Sequence, residues 1–124
     1  MIENPSQIGR QSEEIAANFL KKQGYKILVK NFSSRLGELD IVAKDKETVC
    51  FIEVKCRSNL SRGLPEEAVT RSKKHKICKS ALVFLKKNKL LDLEARFDVV
   101  SINSNSGEIK LFKNAFDLES RYSY

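Results

Sequence analysis

Three residues near the middle of the chain carry chemistry that their surroundings do not explain. Asp40 lies in "GELDIVA", and Glu53 and Lys55 lie in "FIEVKCR". Both stretches are otherwise apolar and read as strands, at about 38–44 and 49–56, joined by a short polar loop. Side chains alternate along a strand, so a hairpin register can be derived from which residues must be buried together. Burying Leu39, Ile41 and Ala43 with Cys50, Ile52 and Val54 needs an even-numbered loop, either Lys46-Glu47 or Asp45 to Thr48. Both loops pair Leu39 with Val54, Ile41 with Ile52 and Ala43 with Cys50. The other face then sets Asp40 opposite Glu53, Glu38 opposite Lys55 and Val42 opposite Phe51.

Opposed residues have Cβ atoms roughly 4.5–5.5 Å apart, so the two carboxylates repel. A divalent cation removes the conflict. Mg²⁺ takes few protein ligands and keeps several waters, so Asp40 and Glu53 suffice for it, with the Val54 backbone carbonyl as a third donor. Mn²⁺ is the alternative metal. Lys55 projects from the same face, where an ammonium assists an attacking water or neutralises charge building on a phosphate. This combination points to phosphodiester cleavage. The competing reading is a solvated face with Glu38 paired to Lys55, an arrangement worth little. It leaves the opposed acids unexplained, together with Val42 and Phe51 on the same face.

Other elements must hold this hairpin. Residues 9–23 have helix spacing, with Ile15, Ala16, Phe19 and Leu20 as the apolar face and Gly24 as a stop. Residues 25–32 read as a strand and 57–64 as a loop. Pro65, followed by Glu66 and Glu67, suits the first turn of a helix running to about Asn88. Its apolar stripe is Ile77, Ala81, Leu82 and Leu85. Residues 96–103 form a strand, "NSNSG" a turn and "EIKLFK" a short last strand. The order α-β-β-β-α-β-β implies an α/β fold, a mixed sheet flanked by helices. The 124 residues fit one domain, 1–124, with a loosely held N-terminus (1–8) and C-terminal tail (117–124).

The charge balance suggests the partner. Lys and Arg number 23 against 16 Asp and Glu, a net +7, which suits polyanions. From Arg71 to Lys89 there are eight Lys or Arg and no acid. Arg71, Lys73, Lys74, Lys76 and Lys79, with Lys55, Arg57 and Arg62, form a candidate phosphate-binding surface. The lysine-rich makeup favours backbone contact over base reading.

Other chemistries fit less well. His75 is the only histidine, and its lysine neighbours offer no carboxylate to orient it, which argues against a His-dependent nucleophile. The basic surroundings argue against a glycosidase. Three cysteines at this spacing suit packing in a reducing compartment better than disulfides or zinc. With no apolar run of roughly 20 residues and no basic-then-apolar leader, a cytoplasmic location and no membrane partner are expected.

An acid on one strand followed by Glu-x-Lys on the next resembles the PD-(D/E)XK nuclease superfamily. Within it, the chain resembles the small bacterial YraN-like family, which is similar to archaeal Holliday-junction resolvases. "SEEIAANFLKKQGYKIL", "GELDIVA", "FIEVKCR", "LPEEAVTRSKKHKI", "RFDVVSI" and "NAF" carry the likeness in order. Leu39 stands where the superfamily's name has proline, and Cys56 where this family often has threonine. Neither position supplies the chemistry. The resemblance implies a restriction-endonuclease-like αβββαβ core, with Asp40 and Glu53 as metal ligands and Lys55 as the catalytic lysine. It also implies that Glu13 points into the same site. The implied activity is a Mg²⁺- or Mn²⁺-dependent endonuclease on DNA, with branched or junction DNA among its implied substrates, and resolvase-like folds often work as homodimers. The alternatives are a non-catalytic nucleic-acid-binding module on the same fold and a protein-interaction domain with a basic surface.

Overall fold

The computed structural model describes residues 5–57 and 70–116, with side chains from Gln11 onward. Two helices, α1 (Pro5–Lys22) and α2 (Arg71–Lys87), cover a sheet of β1 (Lys26–Ser34), β2 (Gly37–Asp45), β3 (Thr48–Arg57), β4 (Ala95–Asn103) and β5 (Ile109–Phe116). The sheet order follows the chain, β1-β2-β3-β4-β5. Neighbours are antiparallel except β3 and β4, which run parallel. A parallel pair cannot be closed by a tight turn, and α2 falls within the crossover between them. The expected mixed α/β fold, consistent with a restriction-endonuclease-like core, is the one observed.

The helices lie on opposite faces. On one, Ile77, Cys78, Ala81, Phe84 and Leu85 of α2 pack on Val42, Val49, Phe51, Phe97 and Val99. On the other, Ala16, Ala17 and Leu20 of α1 pack on Ile41, Ala43, Cys50, Ile52 and Val100. Three layers result, and β3 is buried on both sides. That explains why its sequence is a near-continuous apolar run.

The boundaries need several corrections. α1 starts at Pro5, so residues 5–8 are helical rather than part of a loose end. Its buried face is Ser12, Ala16, Ala17 and Leu20, whereas Ile15 is 45% exposed. The small alanines, rather than Ile15, let α1 sit close on the sheet. Among the described residues α2 begins at Arg71. Thr70 is its N-cap, with extended backbone and a side chain that accepts the Lys73 N–H at 3.2 Å. Leu82 is only partly buried, and Phe84 replaces it in the core. Phe84 makes edge contacts with Phe32 and Phe51. Cys56 is exposed, unlike the packed Cys50 and Cys78. Residues 58–64 of the expected loop, the expected helix start at Pro65, Glu66 and Glu67, and the tail 117–124 lie outside the described residues.

Candidate metal and nucleic-acid site

The β2–β3 register is the expected one at Ile41–Ile52, Val42–Phe51 and Ala43–Cys50, and Asp45–Thr48 leaves Lys46-Glu47 as the loop. Beyond Ile41–Ile52 the ladder ends. The expected pairs Leu39–Val54, Asp40–Glu53 and Glu38–Lys55 do not form. Instead the Val54 N–H donates to Asp40 Oδ2 at 2.9 Å, so a carboxylate takes the place of a ladder carbonyl. Glu38 pairs with Ser33 of β1 and stays exposed.

The strict alternation assumed for β2 also fails. Val42 and Leu39 both face α2, although they stand an odd three positions apart, while Ile41 and Ala43 face α1. The strand therefore changes faces at Asp40. Its neighbour β1 does the same, because Val29 and Phe32 both pack toward α2. Between the pairs Lys30–Ile41 and Phe32–Leu39 sits Asn31, at φ 56°. Asparagine is among the few side chains that tolerate this left-handed backbone. Two strands kinked at the same level open the sheet where Asp40 stands.

Charged groups converge on this opening. Glu53 is 6% exposed, and a buried carboxylate needs partners. Lys55 Nζ lies 3.6 Å from its Oε1, and Lys73 Nζ pairs with the same oxygen. The Asp40 carboxyl is pushed up to about 7, first by burial and next by the charge of Glu53. Glu13 is also raised, chiefly by burial. A hydrogen bond from the Asn31 side chain opposes this, and the charges of Glu38 and Glu53 add to it. Three acids from α1, β2 and β3 thus share one field. The resemblance implied Glu13 there, whereas the neighbouring Glu14 is exposed and pairs with Lys30 at 2.9 Å. Lys55 is lowered, by burial first and by Lys73 next. Burial opposes the Lys73 ammonium too, but Glu53 outweighs it and its pKa is raised.

Among the described residues, no three His, Cys, Asp or Glu side chains form a ready cage for a metal ion. The two carboxylates that could share a cation are Asp40 and Glu53, and burial first and the charge of Glu53 next raise Asp40. Such a pair fits Mg²⁺ or Mn²⁺, hard cations that accept one or two carboxylates and keep waters. It does not fit zinc, which prefers thiolate and imidazole.

The chain belongs to the uncharacterised protein family UPF0102. The family's sequence pattern matches residues 12–102, a span that holds Glu13, Asp40, Glu53 and Lys55. A UPF0102 protein of Desulfosudis oleivorans is 44% identical over 94% of this chain and 95% of its own length. One from Trichlorobacter lovleyi is 49% identical over 90% and 91%. UPF0102, the YraN family, is a member of the PD-(D/E)XK-like nuclease superfamily.

The basic residues fall into two groups. Arg71 and Lys76 are exposed, while Lys74 and Lys79 are half-buried. Lys74 Nζ lies 5.4 Å from the Phe116 ring centroid, a cation–π contact. Lys73 belongs instead with the acids. Arg57 ends β3, where its carbonyl accepts the Ser104 N–H at 2.7 Å. Arg62 lies outside the described residues. α2 can come this close because Gly37 opens β2 beneath it. A Cβ there would lie 3.2 Å from Ser80 Oγ and 3.3 Å from Lys76 Cβ, at a φ of 151° that disfavours a side chain.

Phe112 and Phe116 belong to the core. Phe116 stacks on Phe97 with ring centroids 4.9 Å apart, and Phe112 packs against the same cluster. Among the described residues no helix is long and apolar enough to cross a membrane.

Two features escaped the sequence reading. Asn31 left no trace in the hydrophobic pattern. Lys73 looked like one surface lysine among many, and its approach to Glu53 follows only from where α2 docks.

Proposed function

We propose that the protein is a metal-dependent nuclease that cleaves phosphodiester bonds in DNA, branched or junction DNA in particular, within the cytoplasm. The observation that carries this reading is the repelling Asp40–Glu53 pair at the mouth of two diverging strands, with Lys55 two residues along on β3. Mg²⁺ or Mn²⁺, held by Asp40, Glu53 and the Val54 carbonyl, would neutralise phosphate charge and make water more acidic. The remaining work falls to the chain. Val54 fixes the Asp40 carboxylate through its N–H. Lys55 donates to the phosphate or the attacking water from a strand that cannot swing away. Glu13 adds negative charge that strengthens cation binding. Arg71, Lys74, Lys76 and Lys79 offer the DNA backbone a positive face.

One observation favours a second reading, a nucleic-acid-binding module without turnover. Lys55 and Lys73 already neutralise Glu53 without a metal. The two readings separate in a cleavage assay on branched, nicked and single-stranded DNA with Mg²⁺ or Mn²⁺. The nuclease reading expects cleavage by the native protein that is lost in both Asp40→Ala and Glu53→Ala. Activity surviving in both variants refutes the site. Binding that weakens steeply with salt, with no cleavage of any substrate, selects the second reading.

A further inference from the structure

Glu53 meets more positive charge than one carboxylate needs. Lys55 reaches it from two residues along the same strand, and Lys73 reaches it from the first turn of α2. The two lysines differ in freedom. Lys55 is 21% exposed and sits on a strand buried at the centre of the sheet. Lys73 is 42% exposed and sits on a helix surface. Its backbone is held by the Thr70 cap, and its ammonium is held by Glu53. A flexible four-carbon stem with an exposed head can exchange one anion for another at small cost.

The charge balance sets when it must do so. With every acid ionised, Glu13, Asp40 and Glu53 against Lys55 and Lys73 make three negative and two positive charges, close to balance. A divalent cation between the two acids leaves an excess of positive charge, and one ammonium then needs another anion. Lys55 has little room to move. Lys73 does, and it stands on the helix that carries Arg71, Lys74 and Lys76.

We propose that Lys73 is a built-in counter-ion that competes with the metal for Glu53 and, once displaced, takes a DNA phosphate. This deepens the nuclease reading and rests on its metal site. Metal and DNA then favour each other's binding through a side chain that neither needs to touch at the outset. Such coupling is reciprocal by thermodynamic necessity. A lysine that merely held α2 in place would not affect metal affinity in this way.

The test is Mn²⁺ affinity without DNA, measured by electron paramagnetic resonance of unbound Mn²⁺, with thermal melting to verify folding. The proteins are native, K73M, K73Q, K73R, K76M and E53Q. K73M and K73Q are expected to bind Mn²⁺ about fivefold more tightly than native, since a competing ion pair is gone. K73R should stay near native. K76M removes the same charge from the same helix without touching Glu53, so it should change affinity less than about twofold. If Mn²⁺ binds the native protein and is lost in E53Q, but K73M binds no tighter, the counter-ion role is overturned and the metal site stands. An equal gain in K76M also overturns it, because the effect would then be general charge. Failure of both native protein and K73M to take up Mn²⁺ overturns both readings. Uptake by K73M alone supports both.

Discussion

Replacing Asp98 with alanine is expected to cost about 3–5 kcal/mol of folding stability, the range for breaking a buried ion pair from one side. Asp98 is completely buried in β4, level with Ile52 of β3, and it anchors a network that reaches toward the β2–β3 loop. Arg96 Nε donates to its Oδ1 at 2.9 Å, and the Tyr25 hydroxyl donates to its Oδ2 at 3.0 Å. The Asn114 N–H donates to Oδ1 at 2.9 Å, from a residue held at φ 54°. Arg96 also reaches Asp45 Oδ2 at 2.9 Å beside the β2–β3 loop. One carboxylate therefore ties together the end of α1, the hairpin and β5. Its field shows on its neighbours. Burial first and Asp98 next push the Cys50 thiol up to about 12 and raise Tyr25 well above its ordinary range. Alanine would leave a guanidinium, a phenol and a backbone N–H short of an acceptor at once. A typical domain has only about 5–15 kcal/mol in hand, so a large fall in the urea midpoint is expected at an unchanged slope. Tyr25→Phe removes a hydroxyl that donates to Asp98 and accepts from Arg96 Nη2, and should cost less, about 1.5–3 kcal/mol. Equal losses in the two variants would contradict the central role of Asp98.

The fold was legible because its signals are local. Apolar alternation located β1 to β5, and an even-numbered loop gave the correct register from Ile41–Ile52 to the turn. The site was legible because charge in an apolar strand is costly unless used. Asp98, an acid within "RFDVV", was not singled out by the sequence, and its partner Tyr25 lies 73 positions away with no local pattern pointing to it.

What stayed hidden depends on backbone and docking. Strict alternation put Leu39 beside Ile41, because nothing in "GELDIVA" reveals the left-handed Asn31 on the neighbouring strand. Asp40 and Glu53 therefore meet across a widening gap rather than as a ladder pair. The Thr70 cap, which the sequence reading did not single out, opens the described α2 with Lys73 in its first turn and so decides which lysine meets Glu53.

Asp40→Asn is expected to be more stable than the native protein at pH 8 without metal, and no more stable near pH 4. The Asp40 carboxyl titrates at about 7 against 3.8 as its ordinary value. Its folded pKa is raised, so the folded protein holds a proton that the unfolded chain releases between these values. The stabilising contribution is then full below pH ~4, declines as pH rises, and is gone above ~7. At 1.36 kcal/mol per unit the full shift approaches ~4 kcal/mol, and water reaching a half-buried group reduces it to roughly 2. Asparagine stays neutral throughout and keeps an oxygen for the Val54 N–H, so the difference between the two proteins isolates this one titration. Mg²⁺ should reverse the order at pH 8. At a hundredfold excess over its dissociation constant it adds ~2.7 kcal/mol to the native protein, and little to a variant without the Asp40 charge. The proton and the metal compete for one carboxylate, so native Mg²⁺ affinity should fall about tenfold per pH unit below ~7. Urea titrations at pH 4 and pH 8, with chelator and then with Mg²⁺, read all of these. A native protein that outlasts Asp40→Asn at pH 8 in chelator would mean that the two acids do not repel, and the physical case for a cation between them would fall with that result.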